Sequence, residues 1–555
     1  MLTPFLDHTP LGELSTEELA VALAVVAAVF LLTKSVISVV LMRWVFRFLG
    51  TRQAMISADL TERLLGRPLL AIESRSSQER AYALSLGVGV LVTATLGAFA
   101  LVLAEITLLI VLGVVLAVIN TGVTVVALVF FASIGFAFQR MLRATSVRIG
   151  EELGSTTVDS QQLIQEALAA YREISVLGRR PLIVETISQQ WTRAGRARAD
   201  SLYIIQLPKI AYEAALVVGA LGLAAWQFTV ADAVQALATL ALFLAAGSRV
   251  LPSMLRLTNL ILGIRTGAGQ AKQLFPMILE LRDPDVPFVP FTEGSISRPG
   301  RLLRSGYEGF APVVQVDGLS FRYPGEAQEA LKDIALRVGC GDSLAVVGST
   351  GAGKSTLADV ILGLIEPSEG TVKISGMMPS QAIEQWPGAI AYVPQHVALF
   401  NGTVRQNVAL AFPDDEIDDE LVWAALRRAQ LDDFLFSARE GLDTLVGERG
   451  VRLSGGQRQR LGLARALYSS PRMLILDEAT SALDAETERL IAAALQNLSG
   501  DVTLIVIAHR LATIRTADSV VYLENGAIVS RGTFAEVREE NPHLRAQAAL
   551  MGMTD

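Results

Sequence analysis

The sequence predicts two domains of different fold class: an all-α membrane domain of long helices, followed by an α/β domain built around a phosphate-binding loop. Long apolar runs with almost no charge fill the first half of the 555-residue chain, and a membrane span requires about 20 such residues. The second half alternates short apolar strands, glycine turns and charged helices, as α/β domains do. The mean hydropathy of +0.44 is well above that of an ordinary soluble protein. We therefore expect a membrane domain at 1–265, a linker at 266–312 and an α/β domain at 313–548.

Charge and cysteine content narrow the range of partners. A net charge of −8 gives no sign of a chain built mainly to bind nucleic acid, so we expect no nucleic-acid partner. Cys340 is the single cysteine, which rules out an intrachain disulfide. Because cysteine behaves as a small apolar residue, we expect Cys340 to be buried.

Five apolar segments are predicted to cross the membrane. A series of arginines beginning at Arg43 follows the first segment, and this bias places its C-terminal end in the cytoplasm. Only Asn120, Thr121 and Gly122 separate the second and third segments, which predicts two helices joined by a tight outer turn. Residues 140–200 carry many charges at helical spacing, so we expect them to extend the flanking helices into the cytoplasm. The predicted spans are 19–42, 83–119, 123–138, 202–228 and 234–262.

An odd number of spans places the N-terminus outside when the C-terminal domain is cytoplasmic. Such an N-terminus without a preceding signal is unusual, so we expect that a first transmembrane helix is missing from this sequence, through truncation or a misplaced start. The first apolar run is too long, and too far from Met1, to be a cleavable signal peptide. We expect a multi-pass protein of the cytoplasmic (inner) membrane, with its second domain in the cytoplasm.

A glycine-rich motif lies between a strand and a helix in the second domain. The apolar segment SLAVV at 343–347 runs into Gly348-x-x-x-x-Gly353-Lys354-Ser355, and a helical segment follows. The glycines let backbone N–H groups approach phosphates, Lys354 adds positive charge, and the Ser355 hydroxyl can ligate Mg²⁺. The predicted nucleotide-binding residues of this loop are Gly348, Ser349, Thr350, Gly351, Ala352, Gly353, Lys354, Ser355 and Thr356.

An acidic pair ends a second apolar strand at 473–476. Asp477 is placed to hold Mg²⁺, and Glu478 is placed to polarise the water that attacks the phosphate. Alone, such a pair could equally be a capping or turn feature. Its position after a complete phosphate loop, at the separation expected within one sheet, favours the catalytic interpretation.

A second glycine-rich loop, LSGGQ at 453–457, begins another helix. A nucleotide held by the first loop still presents an open face, and closing that face requires further hydrogen-bond donors. The Ser454 hydroxyl and the N–H groups of Gly455 and Gly456 could supply them, because the start of a helix favours anions. A helix cap without a ligand would explain Ser454 but not two following glycines, which weaken a helix start.

Together these motifs resemble those of half-transporters of the ATP-binding cassette (ABC) exporter family. The resemblance covers nearly all of residues 15–548. It implies that Tyr323 in FRYP stacks on adenine and that Gln395 in YVPQ senses Mg²⁺ and the membrane domain. It also implies that residues 481–484 form the D-loop and that His509 in IAHR contacts the γ-phosphate. A lone tyrosine or histidine is more often structural, so only the combination of motifs supports these roles.

The resemblance further implies a homodimer that encloses ATP and Mg²⁺ between its subunits. In the family, the LSGGQ loop of one subunit faces the ATP bound by the other. The residues that this loop would contribute to nucleotide binding are Ser454, Gly455, Gly456 and Gln457. The implied catalytic residues are Glu478, His509 and Lys354. The implied Mg²⁺ ligands are Ser355, Gln395 and Asp477.

The family pattern also implies cytoplasmic coupling helices that transmit movement of the ATPase to the membrane. These are expected near 67–76 and near 192–202. The segment VGERG at 446–450 resembles the X-loop of exporters, which favours export or flipping over import.

The transported substrate is less strongly indicated. Segments of the membrane half, at 171–180, 207–216 and 241–261, resemble lipid-linked oligosaccharide flippases. Arg249 and Arg256 lie in or near the last span, and a charge inside a membrane is costly unless it has a function. A structural interpretation also stands: Arg256 could lie near the cytoplasmic end, and Lys209 with Glu213 has the spacing of a helix pair.

Two other functions remain as alternatives. The first is a general exporter of drugs or lipids, which would carry the same ATP motifs. The second is a cassette ATPase that acts on DNA or ribosomes without transporting anything. Proteins of that second class are soluble, so the apolar segments weigh against it.

Overall fold

The computed structural model describes residues 16–74, 76–119, 121–230, 232–283, 307–477, 485–508 and 514–550. The chain forms two compact units, one of Met1–Arg67 with Ala71–Pro290 and one of Pro68–Leu70 with Phe291–Asp555. The division after Pro290 lies inside the predicted linker, 266–312.

In the described residues of the N-terminal half, helices are joined by short turns. These helices are α1 (Thr16–Leu65), α2 (Leu69–Glu73), α3 (Ser77–Tyr82), α4 (Gly97–Ile119), α5 (Thr121–Ala169), α6 (Tyr171–Val176), α7 (Arg180–Val230), α8 (Ala233–Gln270) and α9 (Leu274–Leu281). Two π-helical segments, Ala83–Gly87 and Val90–Leu96, lie between α3 and α4, and a 3-10 turn, Ala271–Gln273, lies between α8 and α9.

Four helical stretches in the described part of the chain are long and apolar enough to cross a membrane. They are Ser77–Val118, α5, α7 and α8. They correspond to the last four predicted spans, whereas the predicted first span, 19–42, lies within α1. The charged segment 140–200 forms the end of α5 and the beginning of α7, with α6 between them.

The backbones of α5 and α8 approach each other closely at two glycines. A Cβ atom on Gly150 would lie 2.1 Å from the carbonyl oxygen of Thr266, and one on Gly269 would lie 2.4 Å from that of Val147. Neither position can carry a side chain unless a backbone moves. Small residues at helix crossings are a common means of close packing in membrane proteins. This contact fixes the end of α8 against the C-terminal part of α5, residues 140–169, which we call the extension of α5.

A short helix occurs where one coupling helix was predicted, but the second prediction is wrong. Helix α2 lies inside the predicted segment 67–76. The predicted segment 192–202 instead lies within α7, which continues unbroken through it. The short helix of this region is α6, which is followed by Gly178 at a φ of +66°, a left-handed conformation that favours glycine. Pro181 then occupies the first turn of α7, where a missing N–H costs nothing.

The second unit contains two sheets. Its strands are β1 (Val314–Phe321), β2 (Leu331–Val338), β3 (Ser343–Gly348), β4 (Glu369–Ile374), β5 (Ile390–Val393), β6 (Met473–Asp477), β7 (Thr503–Ile507), β8 (Ser519–Glu524) and β9 (Ala527–Gly532). A three-stranded antiparallel sheet has the order β2-β1-β4, and a six-stranded sheet has the order β5-β6-β7-β3-β8-β9. Neighbours in the larger sheet are parallel except for β8 and β9.

Helices connect these strands and cover the larger sheet. In the described residues they are α10 (Lys354–Ile361), α11 (Pro379–Gln385), α12 (Val404–Val408), α13 (Asp419–Arg428), α14 (Asp432–Ser437), α15 (Gly455–Tyr468), α16 (Ala485–Gln496), α17 (Phe534–Glu540) and α18 (Pro542–Leu550). Strand β6 is buried along its whole length, and β3 is buried up to its last residue. Such continuous burial is expected of central parallel strands with helices on both faces.

The prediction that Cys340 is buried is wrong. Cys340 is exposed in the turn between β2 and β3. The Asp342 carboxylate closes this turn by accepting the N–H of Gly339 at 2.9 Å, and Gly341 adopts a φ of +78°. A turn of this kind lies at the surface whatever apolar residue it contains.

Candidate nucleotide-binding site

The register of the larger sheet brings three predicted site segments to one edge. Val346 in β3 and Asp477 in β6 both pair with Ile507 in β7. Val393 in β5 pairs with the residue before Asp477. Because these strands are parallel, the loop after Gly348, Asp477 itself and the segment after Val393 all lie at the carboxyl edge. This edge is where ligands bind in open α/β sheets.

The loop between β3 and α10 depends on its glycines. Gly348 and Gly353 have φ values of +156° and +99°. A Cβ atom on Gly348 would lie 2.1 Å from the carbonyl oxygen of Leu523, and one on Gly353 would lie 2.5 Å from that of Ala330. The loop is therefore pressed against neighbouring backbone, and α10 starts directly from it.

Lys354 is buried at the start of α10, with only 5% of its surface exposed. Its Nζ donates to the carbonyl oxygens of Gly348, at 3.0 Å, and Ser349, at 2.9 Å. The ammonium group is thus held over the loop, where the first N–H groups of the helix have no acceptor within the helix. A lysine above exposed backbone donors fits a phosphate group, so the residues present match the predicted ligand.

Tyr323 lies beside the phosphate loop. Its hydroxyl is 3.0 Å from Oγ1 of Thr356, the third residue of α10. Its ring packs edge-to-face on Phe321, with 5.0 Å between ring centroids. The ring is half-buried next to the loop, and stacking on adenine stays a prediction.

Asp477 is buried at the end of β6, with 6% of its surface exposed. The charge of Asp477 acts on Tyr392 in the neighbouring strand β5. Burial is the largest cause that raises the pKa of Tyr392, and the charges of Asp477 and Asp359 raise it further. Gln395 follows β5 at the same edge and is exposed. The carboxylate of Asp477 and the hydroxyl of Ser355 are oxygen donors of the kind that Mg²⁺ prefers, although Mg²⁺ binding stays a prediction.

Several predicted site residues lie outside the described residues. These are Glu478, residues 481–484 and His509. Their roles stay predictions.

The LSGGQ segment forms the capped start of α15. The Ser454 hydroxyl accepts the N–H of Gln457 at 3.2 Å, and the Gln457 side chain accepts the N–H of Ser454 at 2.9 Å. This reciprocal capping box accounts for Ser454 and Gln457. Gly455 is exposed, and a Cβ atom built on it would meet nothing within 4 Å. No described residue therefore explains a glycine at that position.

Residues that the sequence analysis missed hold α15 in place. Arg465 donates to the carbonyl oxygens of Asn407 and Ala398, both at 2.8 Å. Burial lowers the pKa of Arg465. Asn407 is fully buried and bonds in turn to the backbone of Phe400, through its amide oxygen and its amide nitrogen, at 3.0 Å each. An arginine one helical turn before the end of the helix carries no local signal for these partners.

An ion pair joins two predicted membrane spans. Arg256 in α8 donates through Nε to the Glu105 carboxylate in α4, at 2.5 Å, and through Nη2 to Ser253 Oγ, at 3.0 Å. Of these two residues, the sequence analysis above singled out Arg256 alone. No local pattern predicts its pairing with Glu105, because 151 residues separate the two. Arg249, the other candidate, is exposed. The suggested helix pair of Lys209 and Glu213 forms no ion pair among the described residues.

Known proteins share both the sequence and the architecture. A family model described as "ABC transporter" matches residues 331–481. An "ATP-dependent lipid A-core flippase" from Cupriavidus metallidurans is 32% identical over 439 residues, which cover 76% of this chain and 69% of that protein. The chain belongs to the ABC transporter family. The predicted family and the predicted α/β phosphate-loop domain are thereby confirmed.

Other relatives match over a smaller part of their length. A protein of the same description from Chromobacterium violaceum is 39% identical over 299 residues, which cover 54% of this chain and 48% of that protein. This chain thus spans about half the length of that relative. A solved structure described as "a bacterial Atm1-family ABC exporter with ATP bound" matches with a TM-score of 0.74, at 24% identity, and covers 99% of this chain and 94% of that one. The chain therefore has the exporter fold, with helices long and apolar enough to cross a membrane and an α/β phosphate-loop domain in one chain.

Proposed function

We propose that two copies of this chain form an ATP-driven exporter that flips a lipid-linked substrate across the cytoplasmic membrane. The observation that carries the proposal is the common carboxyl edge, where the register of β3, β6 and β7 aligns the phosphate loop with Asp477. The named activity of the flippase relatives supports a lipid substrate. Lipid-linked oligosaccharide remains one such substrate, and a general drug or lipid exporter is the second candidate.

The residues at the edge suit the hydrolysis of a nucleoside triphosphate. Lys354 can turn from the two loop carbonyls towards the phosphates, and N–H groups at the start of α10 can donate to them as well. Bound Mg²⁺ would neutralise charge on the phosphates, held by Ser355 and Asp477 with Gln395 nearby. Glu478 orients the attacking water and accepts its proton, and His509 contacts the γ-phosphate.

The start of α15 supplies the reason to propose a dimer. Ser454 and Gly455 are exposed, and the capping box holds their backbone in place. The open space at Gly455 suits close approach of a phosphate from the partner subunit. ATP binding would then draw two subunits together, and hydrolysis would release them.

A flipping assay with a catalytic variant tests this function. The protein is reconstituted in proteoliposomes and given labelled lipids, polyprenyl pyrophosphate glycans and drugs, with ATP and Mg²⁺. We expect one phosphate-bearing lipid to stimulate ATPase and to be flipped. Glu478→Gln should cut turnover at least about a hundredfold while ATP binding persists, because the carboxylate that orients water is lost.

Two results would contradict the proposal. Near-normal turnover in Glu478→Gln would remove the assigned role of that residue. Stimulation and transport by drugs alone, with every lipid inert, would favour the general exporter.

A further inference from the structure

A large cavity opens between the extension of α5 and the end of α8. Its volume is about 730 Å³. Helix α5 lines it from Phe136 to Glu151 and contributes Arg140, Arg143 and Arg148, while α8 contributes Arg265. The close contact at Gly150 and Gly269 fixes the two helices beside it. We call it the arginine cavity.

Little in the cavity balances this positive charge. Glu151, its acidic residue, is paired with Lys272, whose Nζ lies 2.9 Å from the carboxylate. Arg265 donates to the carbonyl oxygen of Gln139 at 2.8 Å. The other three arginines form no ion pair with the described residues, and all three are exposed. Those three are Arg140, Arg143 and Arg148.

A neighbouring cavity shows that this charge is specific to the site. It has nearly the same volume, about 710 Å³, and shares Arg148 and Glu151 with the arginine cavity. Its lining adds Lys272 but also Glu79 and Glu152, so acidic residues outnumber basic ones. Position near a cytoplasmic helix end does not by itself produce a cationic lining.

The arginine cavity also has an apolar end. Phe136, 70% exposed, belongs to the predicted span 123–138, and Arg140 lies two residues beyond the end of that span. At a rise of about 1.5 Å per residue, the lining runs about 22 Å along α5, and its three arginines begin about one helical turn beyond Phe136. A molecule with an apolar chain and an anionic head matches Phe136 and the arginines.

We propose that the arginine cavity binds the phosphate-bearing head group of a membrane lipid, with the lipid chain towards Phe136. Arginine suits this ligand because its planar fork donates paired hydrogen bonds to phosphate oxygens, and basic pockets between membrane helices bind such head groups. The inference rests on the proposed function, since it places the head group of the flipped lipid where transport would begin. Arg265 keeps its bond to Gln139 and shapes the site.

Lipid binding to the full-length protein tests the inference. The probe is a fluorescent phosphatidic acid, with a phosphatidylcholine analogue for comparison, in phosphatidylcholine nanodiscs without ATP. The triple variant Arg140→Gln/Arg143→Gln/Arg148→Gln should weaken binding of phosphatidic acid at least about tenfold, because three charged donors are lost. The control variant Arg43→Gln/Arg47→Gln removes exposed arginines that also follow a predicted span, and it should change binding less than about twofold.

Each other outcome overturns part of the inference. Equal weakening by both variants would mean that general surface charge attracts the lipid. Equal affinity for inorganic pyrophosphate and phosphatidic acid would assign the cavity to a soluble phosphate compound. If the triple variant does not fold, Arg143→Gln alone replaces it, and unchanged binding there excludes the site.

The test separates this inference from the proposed function. Glu478→Gln should leave phosphatidic acid binding intact, because the cavity lies in the membrane unit. Arginine-dependent binding in a protein that flips no lipid would refute the transport function and leave the head-group site standing. Flipping that persists in the triple variant would refute the head-group site and leave the transport function standing.

Discussion

Two helices of the ATP-binding unit begin at glycine-rich loops, yet the loops use glycine differently. At the start of α10, Gly353 has a left-handed conformation, and a side chain there would collide with the backbone of Ala330. At the start of α15, Gly455 is helical and faces open space. The fold itself requires Gly353, whereas no described residue of the chain requires a glycine at position 455. Gly353 is needed to build the phosphate loop, whereas Gly455 is proposed to close the site.

The two helix starts also differ in charge: a lysine lies at the start of α10, whereas an uncharged serine caps α15. Lys354 lies over the loop before α10, while Ser454 caps α15 through a reciprocal bond with Gln457. The start of α10 can bind phosphate with a full charge, and that of α15 adds hydroxyl and backbone donors. We therefore expect most of the binding energy from the first and the closing of the site from the second.

Removing the charge of Lys354 from the start of α10 should have the largest effect on ATP turnover. Lys354→Ala should lower ATP turnover at least about a hundredfold, because a buried cation at the phosphates has no replacement. Steady-state ATPase measures this loss. Lys373→Ala, an exposed lysine in β4, should stay within about twofold of the parent. Equal losses of turnover in Lys354→Ala and Lys373→Ala would show that the charge of Lys354 has no special role at the start of α10.

Adding a methyl group to the loop before α10 should damage the fold. Gly353→Ala should destabilise the ATP-binding unit by about 2 kcal/mol or more, from left-handed strain and from the contact with Ala330. Thermal unfolding without nucleotide measures this effect. Gly500→Ala, at a φ of +88° with open space, keeps the strain without the contact and should cost less. A stable Gly353→Ala protein would show that the loop can move.

The same methyl group at the start of α15 should spare the fold and harm turnover. Gly455→Ala should leave thermal stability unchanged or raise it by up to about 1 kcal/mol, since alanine favours helix. Turnover should fall by about tenfold, because the methyl group would meet the phosphate from the partner subunit. Stability and ATPase are measured on one preparation. Undiminished turnover would contradict a phosphate at Gly455.

The smallest effect is expected from the cap itself. Ser454→Ala should cost about 1 kcal/mol of stability, the usual value for a lost helix cap. Thr533→Ala removes the equivalent capping box from α17, away from the carboxyl edge, and should cost the same. Turnover should fall in the Ser454 variant alone. Equal turnover in both would reduce Ser454 to a structural cap.

Local sequence patterns predicted the phosphate loop and Asp477 because their chemistry depends on neighbours in the chain. A strand, a glycine loop and a lysine at fixed spacing define the site, and the structure places them at one sheet edge as expected. Helix starts are equally local, which is why LSGGQ was found. The prediction of a short helix at 192–202 was wrong because it came from a family pattern and not from local signals. It ignored Gly178 and Pro181, which mark the true break.

By itself, the sequence determined the fold class and the family and predicted the phosphate-binding residues, since these follow from hydrophobic length and from contiguous motifs. Only the tertiary structure decided which distant charges meet. Glu105 reaches Arg256 and Arg265 reaches Gln139 across 151 and 126 residues. Such contacts depend on how helices cross, and the crossing of α5 and α8 is set by close packing at Gly150 and Gly269. No local pattern encodes that packing, so the arginine cavity became visible only once the helices were assembled.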